Sequence, residues 1–207
     1  MQFRDREYAA HKLAAVLIEY QDKHPLVLAI PRGAVPMGRI IADELGGELD
    51  VVLVRKLPAP FNPEYAIGSV DESGWTYVSD SAAAAGATPE YIEQEKQRQL
   101  ATIRRRRAEY TPLRPPIDPA GRIVIVVDDG LATGATMIAA LHGLRERQPA
   151  WLVCAVPVAP PDTVDQVRQY ADDVVCLETP FSFQAVGQFY RDFPQVDDET
   201  VVEILRR

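Results

Sequence analysis

VIVVDDGLATGAT, residues 124–136, places four apolar residues directly before two adjacent aspartates and a small turn that carries hydroxyls. The continuous apolar run is typical of a strand that is buried on both faces of a parallel sheet. Ligands of such sheets bind beyond the carboxyl ends of the strands, which is where Asp128 and Asp129 would lie. The loop 130–136 adds backbone N–H groups and a helix N-terminus, which suit a phosphate. The stretch therefore predicts a site for a ligand with vicinal hydroxyls and a phosphate, such as a ribose 5-phosphate.

Buried strands alternate with helices along most of the chain. The apolar runs PLVLAI, DVVLV, RIVIVV, WLVCAVPV and DVVCLE predict strands at 25–30, 50–54, 122–127, 151–158 and 173–178. The segments between most of these runs have the spacing and the boundary residues of helices. This alternation predicts a three-layer α/β/α fold with a mostly parallel, doubly wound sheet.

A different pattern follows the second of these strands. AIGSV and WTYVS flank the turn sequence DESG, which predicts a β-hairpin within 66–79. The segment before it, LPAPFNPE at 57–64, contains three prolines. Because proline removes a backbone donor and fixes its own φ angle, we expect no regular structure in that segment.

Residues 80–115 are predicted to be an excursion from the core sheet. A linker of small residues leads to a helix start at Thr88, and a long polar helix then continues until PLRPPIDP stops it. Its run of four arginines, 104–107, indicates a solvated helix face, with an anion-binding patch or a subunit contact as the alternative. We expect one domain over 1–207, to which 80–115 adds an inserted long helix and 179–207 an aromatic tail.

Composition and charge exclude several classes of function. The chain has 207 residues, a net charge of −8 and a pI near 4.9, so its surface as a whole repels nucleic acid and anionic membrane. The N-terminal segment is charged throughout and lacks the apolar core of a signal peptide, and no apolar run is long enough to span a bilayer. A cytoplasmic location without nucleic-acid or membrane partners is the expectation.

The cysteines and histidines do not predict a metal centre. Cys154 and Cys176 lie in apolar runs, as expected of small buried residues in a reducing compartment. His11, His24 and His142 have no ligand spacing to one another or to a cysteine. We expect these histidines at the surface or at helix caps, and we expect no zinc.

The stretch 124–136 resembles the phosphoribosyl pyrophosphate binding motif of the type I phosphoribosyltransferases. That motif consists of an apolar strand, two acidic residues and a loop of the A-T-G-x-T type, and all its key positions are matched here. The resemblance covers roughly residues 25–190 and is absent from the 80–115 excursion. It implies a mostly parallel sheet with one antiparallel hairpin strand, which suits AIGSV, and a small hood to which 179–207 contributes.

The resemblance also implies roles for individual residues. Asp128 and Asp129 would hold the ribose hydroxyls, directly or through water bound to magnesium. Arg55 and Lys56 would be the catalytic basic pair that opens a mobile loop, here LPAPFNPEYAIG. The 5′-phosphate would be held by Gly130, Ala132, Thr133, Gly134, Ala135 and Thr136. The pyrophosphate loop would consist of Pro31, Arg32, Gly33 and Ala34.

The chemistry of phosphoribosyl transfer agrees with these roles. The bond from C1′ to pyrophosphate breaks, and the leaving group carries several negative charges that the protein must stabilise. Mg²⁺, Arg32, Arg55 and Lys56 suit that task, since Mg²⁺ prefers carboxylate, water and phosphate oxygens. A loop that closes over the site would suppress hydrolysis by excluding water.

Each motif also has an ordinary structural interpretation. Two aspartates after an apolar strand occur in Walker-type nucleotidases, but those need the pattern GxxxxGK[ST], which this chain lacks. The segment 31–33 alone could be a simple strand-to-helix turn, and Arg55 and Lys56 alone could be solvated charges. In the tail, Phe183 could stack on an acceptor base and Asp192 could lie near the magnesium. Core packing is the alternative for Phe183.

The identity of the acceptor stays open. Relatives that act on oxopurines carry an aspartate where this chain has Ala132, which disfavours an acceptor of the hypoxanthine or guanine type. The loop DDGLATGAT is closer to the adenine type, but the remaining sequence does not secure that assignment.

Two functions from different classes remain. The first is a magnesium-dependent phosphoribosyltransferase for a small acceptor, such as a nucleobase. The second is a non-catalytic protein that senses phosphoribosyl pyrophosphate or a nucleotide on the same fold. Arg55, Lys56 and the complete mobile loop favour the enzyme, because a sensor needs no closing lid. A homo-oligomer is expected, as in many members of the family.

Overall fold

A computed structural model describes residues 2–112 and 114–207 of the chain. Its strands are β1 (Leu26–Ala29), β2 (Glu48–Val51), β3 (Val54–Ala59), β4 (Asn62–Asp71), β5 (Thr76–Val78), β6 (Ile123–Val127), β7 (Trp151–Val158) and β8 (Asp173–Glu178). Its α-helices are α1 (Arg6–Val16), α2 (Ala34–Leu45), α3 (Pro89–Tyr110), α4 (Ala135–Glu146), α5 (Pro161–Val167) and α6 (Asp198–Leu205). Short 3₁₀ helices lie at Ile18–Tyr20 and Val186–Phe189.

The main sheet consists of five parallel strands in the order β2-β1-β6-β7-β8. Ala29, the last residue of β1, pairs with Val51 on one side and with Val127 on the other. The carboxyl ends of β2, β1 and β6 therefore lie side by side. The chain moves outward from β1 to β2 and then crosses back to β6, so the strand order reverses beside β1. This is the position at which open α/β sheets bind ligands.

Both faces of the main sheet are buried, as the continuous apolar strands predict. In β6, Ile125 and Val127 join a cluster that includes residues of α1, α2 and α6, whereas Val124 and Val126 join a second cluster with residues of α4 and α5. Alternate residues of a strand point to opposite faces, so each face receives its own layer of helices. The predicted three-layer α/β/α fold is confirmed.

The predicted hairpin is present, and it belongs to a separate antiparallel sheet in the order β3-β4-β5. The expectation that 57–64 lacks regular structure was wrong, because β3 extends to Ala59 and β4 begins at Asn62. Proline is tolerated here because β3 is an edge strand, and its register shifts on both sides of Pro58. Pro63 falls between the paired positions Asn62 and Ala66 of β4.

The long helix predicted in the excursion is α3, and it covers this small sheet. The Thr88 side chain caps it by accepting a hydrogen bond from the Tyr91 amide at 3.1 Å. The expectation of a solvated arginine face fails at Arg107, whose side chain is only 12% exposed. Its guanidinium donates to Glu72 at 2.6 and 2.8 Å and to Asp50 at 2.8 Å. The helix register turns Arg107 towards the buried Asp50, while Arg104 and Arg105 remain exposed.

The structure also shows the surroundings of His142 and of the two cysteines. His142 is not a surface or capping residue, because its half-buried ring stacks on Trp75 and Tyr77 and contacts Tyr170. Burial lowers the pKa of this imidazole. Cys154 is a buried free thiol and Cys176 a half-buried one, and burial raises the pKa of Cys176 to about 11. Within 2–112 and 114–207, no helix is both long and apolar enough to cross a membrane.

Candidate functional site

The ends of β1 and β6 bring the predicted pyrophosphate loop, 31–34, into contact with the acid pair Asp128 and Asp129. Gly33 lies in the turn between β1 and α2, directly beside the carboxylate of Asp129. A Cβ atom at Gly33 would come within 2.2 Å of Asp129 Oδ2 and 3.1 Å of an Arg6 nitrogen. No side chain fits there, which explains a glycine in this turn. The predicted pyrophosphate loop and the acid pair therefore form one surface.

The loop 130–136 encloses a cavity of about 240 Å³ at the N-terminus of α4. Gly134 precedes this helix with a φ of +74°, and a Cβ atom there would come within 2.8 Å of Thr163 Cγ2. The Thr163 hydroxyl donates to the Ala132 carbonyl at 2.7 Å and so fixes the loop from α5. The first turn of α4 contains no acidic residue. The loop can therefore receive an anion on free backbone N–H groups and the positive end of the helix dipole.

Asp128 lies directly after β6 and before the loop 130–136, and it lines the same cavity as that loop. The Asp129 amide donates to its Oδ1 at 2.9 Å. Burial, and after it the charge of Asp129, raises the pKa of Asp128 well above the ordinary value for an aspartate. A carboxylate that is costly to ionise without a partner is suited to a ligand that donates hydroxyl protons or brings a cation.

Asp129 differs from its neighbour because it already has a cation as a partner. Arg6 Nε, at the start of α1, donates to Asp129 Oδ2 at 3.0 Å, and the two side chains are only 12% and 16% exposed. The guanidinium of Arg6 also lies 3.8 Å from the centre of the Phe193 ring and donates to the Pro194 carbonyl. The Tyr190 hydroxyl donates to the Asp129 carbonyl at 2.6 Å. The two acids of the pair are therefore held in different environments.

Arg55 and Lys56 line a second cavity, of about 420 Å³, at the end of β2. Pro31 and Thr136 also line this cavity. It therefore adjoins both the predicted pyrophosphate loop, 31–34, and the loop 130–136. Arg55 Nε donates to Gln99 Oε1 on α3 at 3.0 Å. Burial, followed by repulsion from Arg106 and Arg105, lowers the pKa of Arg55. The sequence predicted Arg55 and Lys56 as site residues and gave an anion-binding patch within 104–107 as an alternative, but it did not predict Gln99.

Arg32, Phe183 and Asp192 are among the predicted residues that lie outside these two cavities. Arg32 points towards α6, with its guanidinium 3.8 Å from Asp198 Oδ2. Phe183 packs on Phe189, with ring centres 4.9 Å apart, and contacts the core cluster, as in the structural alternative. Asp192 is exposed. The tail instead approaches the site through Val186, which lines the cavity of the loop 130–136 together with Gly130.

Sequence reasoning missed Arg6, Tyr190 and Phe193. Arg6 and Asp129 are separated by 123 positions, and nothing in the segment RDRE distinguishes one arginine from the other. The aromatic richness of the tail was visible, but its spacing pointed to Phe183 and not to Tyr190. Several contacts bring the N-terminal segment and the tail together beside the site, among them the isolated bridge between Phe3 and Tyr190 and the hydrogen bond from Arg6 to the Pro194 carbonyl.

The residues that could hold a metal are the two aspartates. Within 2–112 and 114–207, no group of three or more His, Cys, Asp or Glu side chains could hold a metal ion by itself. Mg²⁺ is commonly held by one or two carboxylates together with phosphate oxygens and water. Asp128, half-buried and with a raised pKa, fits a cation that arrives with its ligand, whereas Asp129 already interacts with Arg6.

A parallel sheet with an acid pair and a loop at a helix N-terminus beside its switch point is typical of the class of α/β proteins that bind anionic ligands at that edge of the sheet. The family model described as "Phosphoribosyl transferase domain" matches residues 3–193, so the chain belongs to this family. The type I phosphoribosyltransferase resemblance is thereby confirmed.

Known relatives extend this comparison. The chain is 41% identical over 209 residues to "Putative phosphoribosyl transferase Rv0571c" of Mycobacterium tuberculosis strain H37Rv and, equally, to its counterpart MT0597 in strain CDC 1551. These alignments cover 99% of the chain but 46% of each relative, so the chain spans about half the length of these proteins. The crystal structure of TT1426 from Thermus thermophilus superposes with a TM-score of 0.89 at 45% identity and covers 99% of this chain and 98% of that one.

Proposed function

We propose that the protein is a magnesium-dependent phosphoribosyltransferase. It would transfer the ribose 5-phosphate group of phosphoribosyl pyrophosphate to a small acceptor, such as a nucleobase, and release pyrophosphate. The observation that carries this proposal is the order of the subsites along the sheet edge. A cationic cavity follows β2, a glycine turn follows β1, and the acid pair with its anion-binding loop follows β6.

The donor fits this order from end to end. Its 5′-phosphate would accept hydrogen bonds from the loop 130–136, where Gly134 and Ala135 begin α4. Its ribose hydroxyls would donate to the carboxylates at the end of β6, first of all to Asp128. Its pyrophosphate would then extend past Gly33 towards Arg55 and Lys56. Holding both ends of the donor fixes C1′ for attack, which lowers the entropic part of the barrier.

The reaction forms a bond from an acceptor nitrogen to C1′ and breaks the bond from C1′ to the pyrophosphate oxygen. Positive charge develops on the ribose ring, and the carboxylates of Asp128 and Asp129 would stabilise it. Negative charge develops on the leaving group, and Arg55 and Lys56 would stabilise that. Magnesium, held through Asp128, Asp129 and ligand oxygens, would supply further neutralisation of the pyrophosphate. The acceptor proton would leave to solvent or to a nearby base.

The β3–β4 hairpin is the segment best placed to exclude water from this site. It contains Lys56 and the cavity-lining residues Pro58, Pro63 and Ala66. The Phe61 side chain at its tip is 90% exposed. Closure of the hairpin over bound donor would protect the ribose cation from hydrolysis. The expected cytoplasmic location and homo-oligomeric state stay predictions.

The second candidate is a non-catalytic sensor of phosphoribosyl pyrophosphate or a nucleotide. The observation that favours it is the ion pair between Arg6 and Asp129, because an acid that is satisfied by the protein itself has less to offer a reaction. The cationic cavity favours the enzyme, because a leaving group needs charge stabilisation that simple sensing does not require.

One experiment separates the two candidates. The protein is mixed with phosphoribosyl pyrophosphate, Mg²⁺ and each member of a panel of nucleobases, and released pyrophosphate is measured. Turnover with at least one base supports the enzyme, and donor binding without turnover on any base supports the sensor. The double variant Asp128→Asn with Asp129→Asn should fold but lose thermal stabilisation by the donor. If this variant is stabilised as much as the unchanged protein, the roles given to the acid pair are wrong.

A further inference from the structure

The inserted helix α3 contributes one face to the cationic cavity. Gln99, Ile103 and Arg106 all line it, and these positions are spaced by four and three residues. Side chains at such spacings lie above one another on the same side of a helix. Ile103 is buried, and Arg106 is half-buried, which places the guanidinium at the wall of the cavity and not in bulk solvent.

The position of Arg106 is fixed by its neighbour in the sequence. Arg107 points about 100° away around the helix, and Glu72 and Asp50 accept hydrogen bonds from its guanidinium. It also donates to the Val51 carbonyl at 3.1 Å, at the end of β2. This network holds the helix against the end of β2, and Arg55 and Lys56 lie a few residues later, in β3. Three cations from two separate chain segments are therefore brought to one cavity by a buried anchor.

The charges of this cavity are not balanced by the protein. In the part of the chain that the structure describes, none of Arg55, Lys56 and Arg106 has a carboxylate within 4.0 Å. The acidic residue in the lining, Glu64, is exposed. Repulsion among the cations contributes to the lowered pKa of Arg55. A cluster of like charges beside a cavity is relieved when a polyanion binds.

Gln99 has a different part in this arrangement. It accepts a hydrogen bond from Arg55 Nε at 3.0 Å and donates to Glu95 at 2.7 Å, and so connects Arg55 to a buried carboxylate on the same helix. The amide carries no charge, so it orients the guanidinium of Arg55 without neutralising it. Gln99 is therefore a positioning residue, whereas Arg106 would touch the ligand.

From these observations we infer that Arg106 of the inserted helix binds the pyrophosphate group together with Arg55 and Lys56, with Gln99 orienting Arg55. This inference rests on the proposed function and adds to it residues from α3, a helix that holds none of the residues to which the motif resemblance assigns a role. The ligand chemistry is that of a pyrophosphate, which is small enough for a cavity of about 420 Å³ and carries enough charge for three cations.

The test is calorimetric titration of the full chain with two probes, Mg²⁺-pyrophosphate and ribose 5-phosphate. Arg106→Gln should weaken pyrophosphate binding about tenfold or more, the usual effect of losing a charged hydrogen bond. It should leave ribose 5-phosphate binding unchanged, because that ligand would occupy the loop at β6. Arg104→Gln, on an exposed part of the same helix, is the matched control and should change neither affinity.

Two further variants keep the test decisive. Arg106→Lys retains the charge and should lose less affinity than Arg106→Gln, which separates charge from helix packing. Gln99→Glu has nearly the same shape but places a carboxylate beside Arg55, so it should weaken pyrophosphate binding and leave ribose 5-phosphate binding intact. If Gln99→Glu weakens both probes equally, its role is structural and not one of positioning.

The outcomes separate this inference from the proposed function. Pyrophosphate binding that is absent, or that Arg106→Gln leaves unchanged, overturns the inference even if the protein turns over its donor. Equal losses for both probes in Arg106→Gln also overturn it. If the unchanged protein releases no pyrophosphate with any base, but Arg106→Gln selectively loses pyrophosphate affinity, the transferase proposal fails and the assignment of Arg106 stands.

Discussion

Arg6 Nε lies 3.0 Å from Asp129 Oδ2, and this contact joins the first turn of the first helix to the acid pair at the end of β6. Among the residues that the structure describes, no cationic side chain forms an ion pair with the neighbouring Asp128, whose pKa is raised. The two aspartates are adjacent in the sequence and belong to one motif, but their electrostatic environments differ. Asp129 is paired with a cation of the protein itself, and Asp128 is available to a ligand.

Arg6→Ala should destabilise the fold, because it leaves a poorly exposed carboxylate without its cation. We expect a loss of roughly 3 kcal/mol in the free energy of unfolding, measured by urea denaturation at pH 7. Arg4→Ala is the control, since its side chain is 60% exposed and pairs only with Asp5, and it should change stability by less than about 0.5 kcal/mol.

A double-mutant cycle tests whether the loss comes from the contact itself. Asp129→Ala combined with Arg6→Ala should be more stable than the sum of the two single losses predicts, because neither partner is then left alone. If the two effects simply add, Arg6 stabilises the fold through Phe193 and Pro194 and not through the carboxylate.

Asp128→Asn should make the protein without ligand or metal more stable at neutral pH. A carboxyl whose pKa is higher in the folded than in the unfolded state favours folding fully only below its unfolded pKa, which is about 4 for aspartate. That contribution is lost as the pH rises towards the raised folded pKa. Asparagine removes this penalty, so the melting temperature at pH 7 should rise by about 3 °C or more.

The pH dependence of this gain is its own control. The difference in melting temperature between Asp128→Asn and the unchanged protein should shrink as the pH falls towards the unfolded pKa, because the carboxyl is then increasingly protonated in the folded and the unfolded state alike. Ligand stabilisation should be lost in the same variant. A melting temperature that falls at pH 7 would mean that the carboxylate makes favourable contacts that outweigh its burial.

The sequence predicted local elements well and distant contacts poorly. The segments 151–158 and 173–178 were placed at the bounds of β7 and β8, because apolar runs with sharp polar ends leave little choice. The three prolines of 57–64 led to the wrong prediction of irregular structure. Proline is tolerated in an edge strand, and the local sequence does not show that β3 lies at an edge. Arg107 and Arg6 were not predicted as partners of buried acids, since such pairing follows from helix register and chain crossing, which are not encoded locally. The position of the loop 130–136 between β6 and α4 was predictable because strand, loop and helix are consecutive in the sequence, and its role in binding an anion stays a prediction.

Gly134→Ala tests the shape of the anion-binding loop. Gly134 has a φ of +74°, and an added Cβ would come within 2.8 Å of Thr163 Cγ2. Gly121 offers a matched control, because its φ is +69° and nothing lies within 4 Å of an added Cβ. Gly121→Ala should cost about 1 kcal/mol of stability through backbone strain alone. Gly134→Ala should cost more, and it alone should weaken the binding of ribose 5-phosphate. Equal stability losses with unchanged binding would show that Thr163 moves freely aside.

Lys56→Ala tests whether the cationic cavity acts on the leaving group. Lys56 is exposed at the cavity wall and forms no ion pair among the described residues, so its removal should leave the melting temperature nearly unchanged. If it stabilises charge that develops only as the bond to pyrophosphate breaks, kcat should fall by about 100-fold while donor affinity falls much less. Lys96→Ala, on an outer turn of α3, should alter neither quantity. A loss of donor affinity with kcat unchanged would make Lys56 a ground-state binding residue, because a contact of constant strength throughout the reaction cannot accelerate the chemical step.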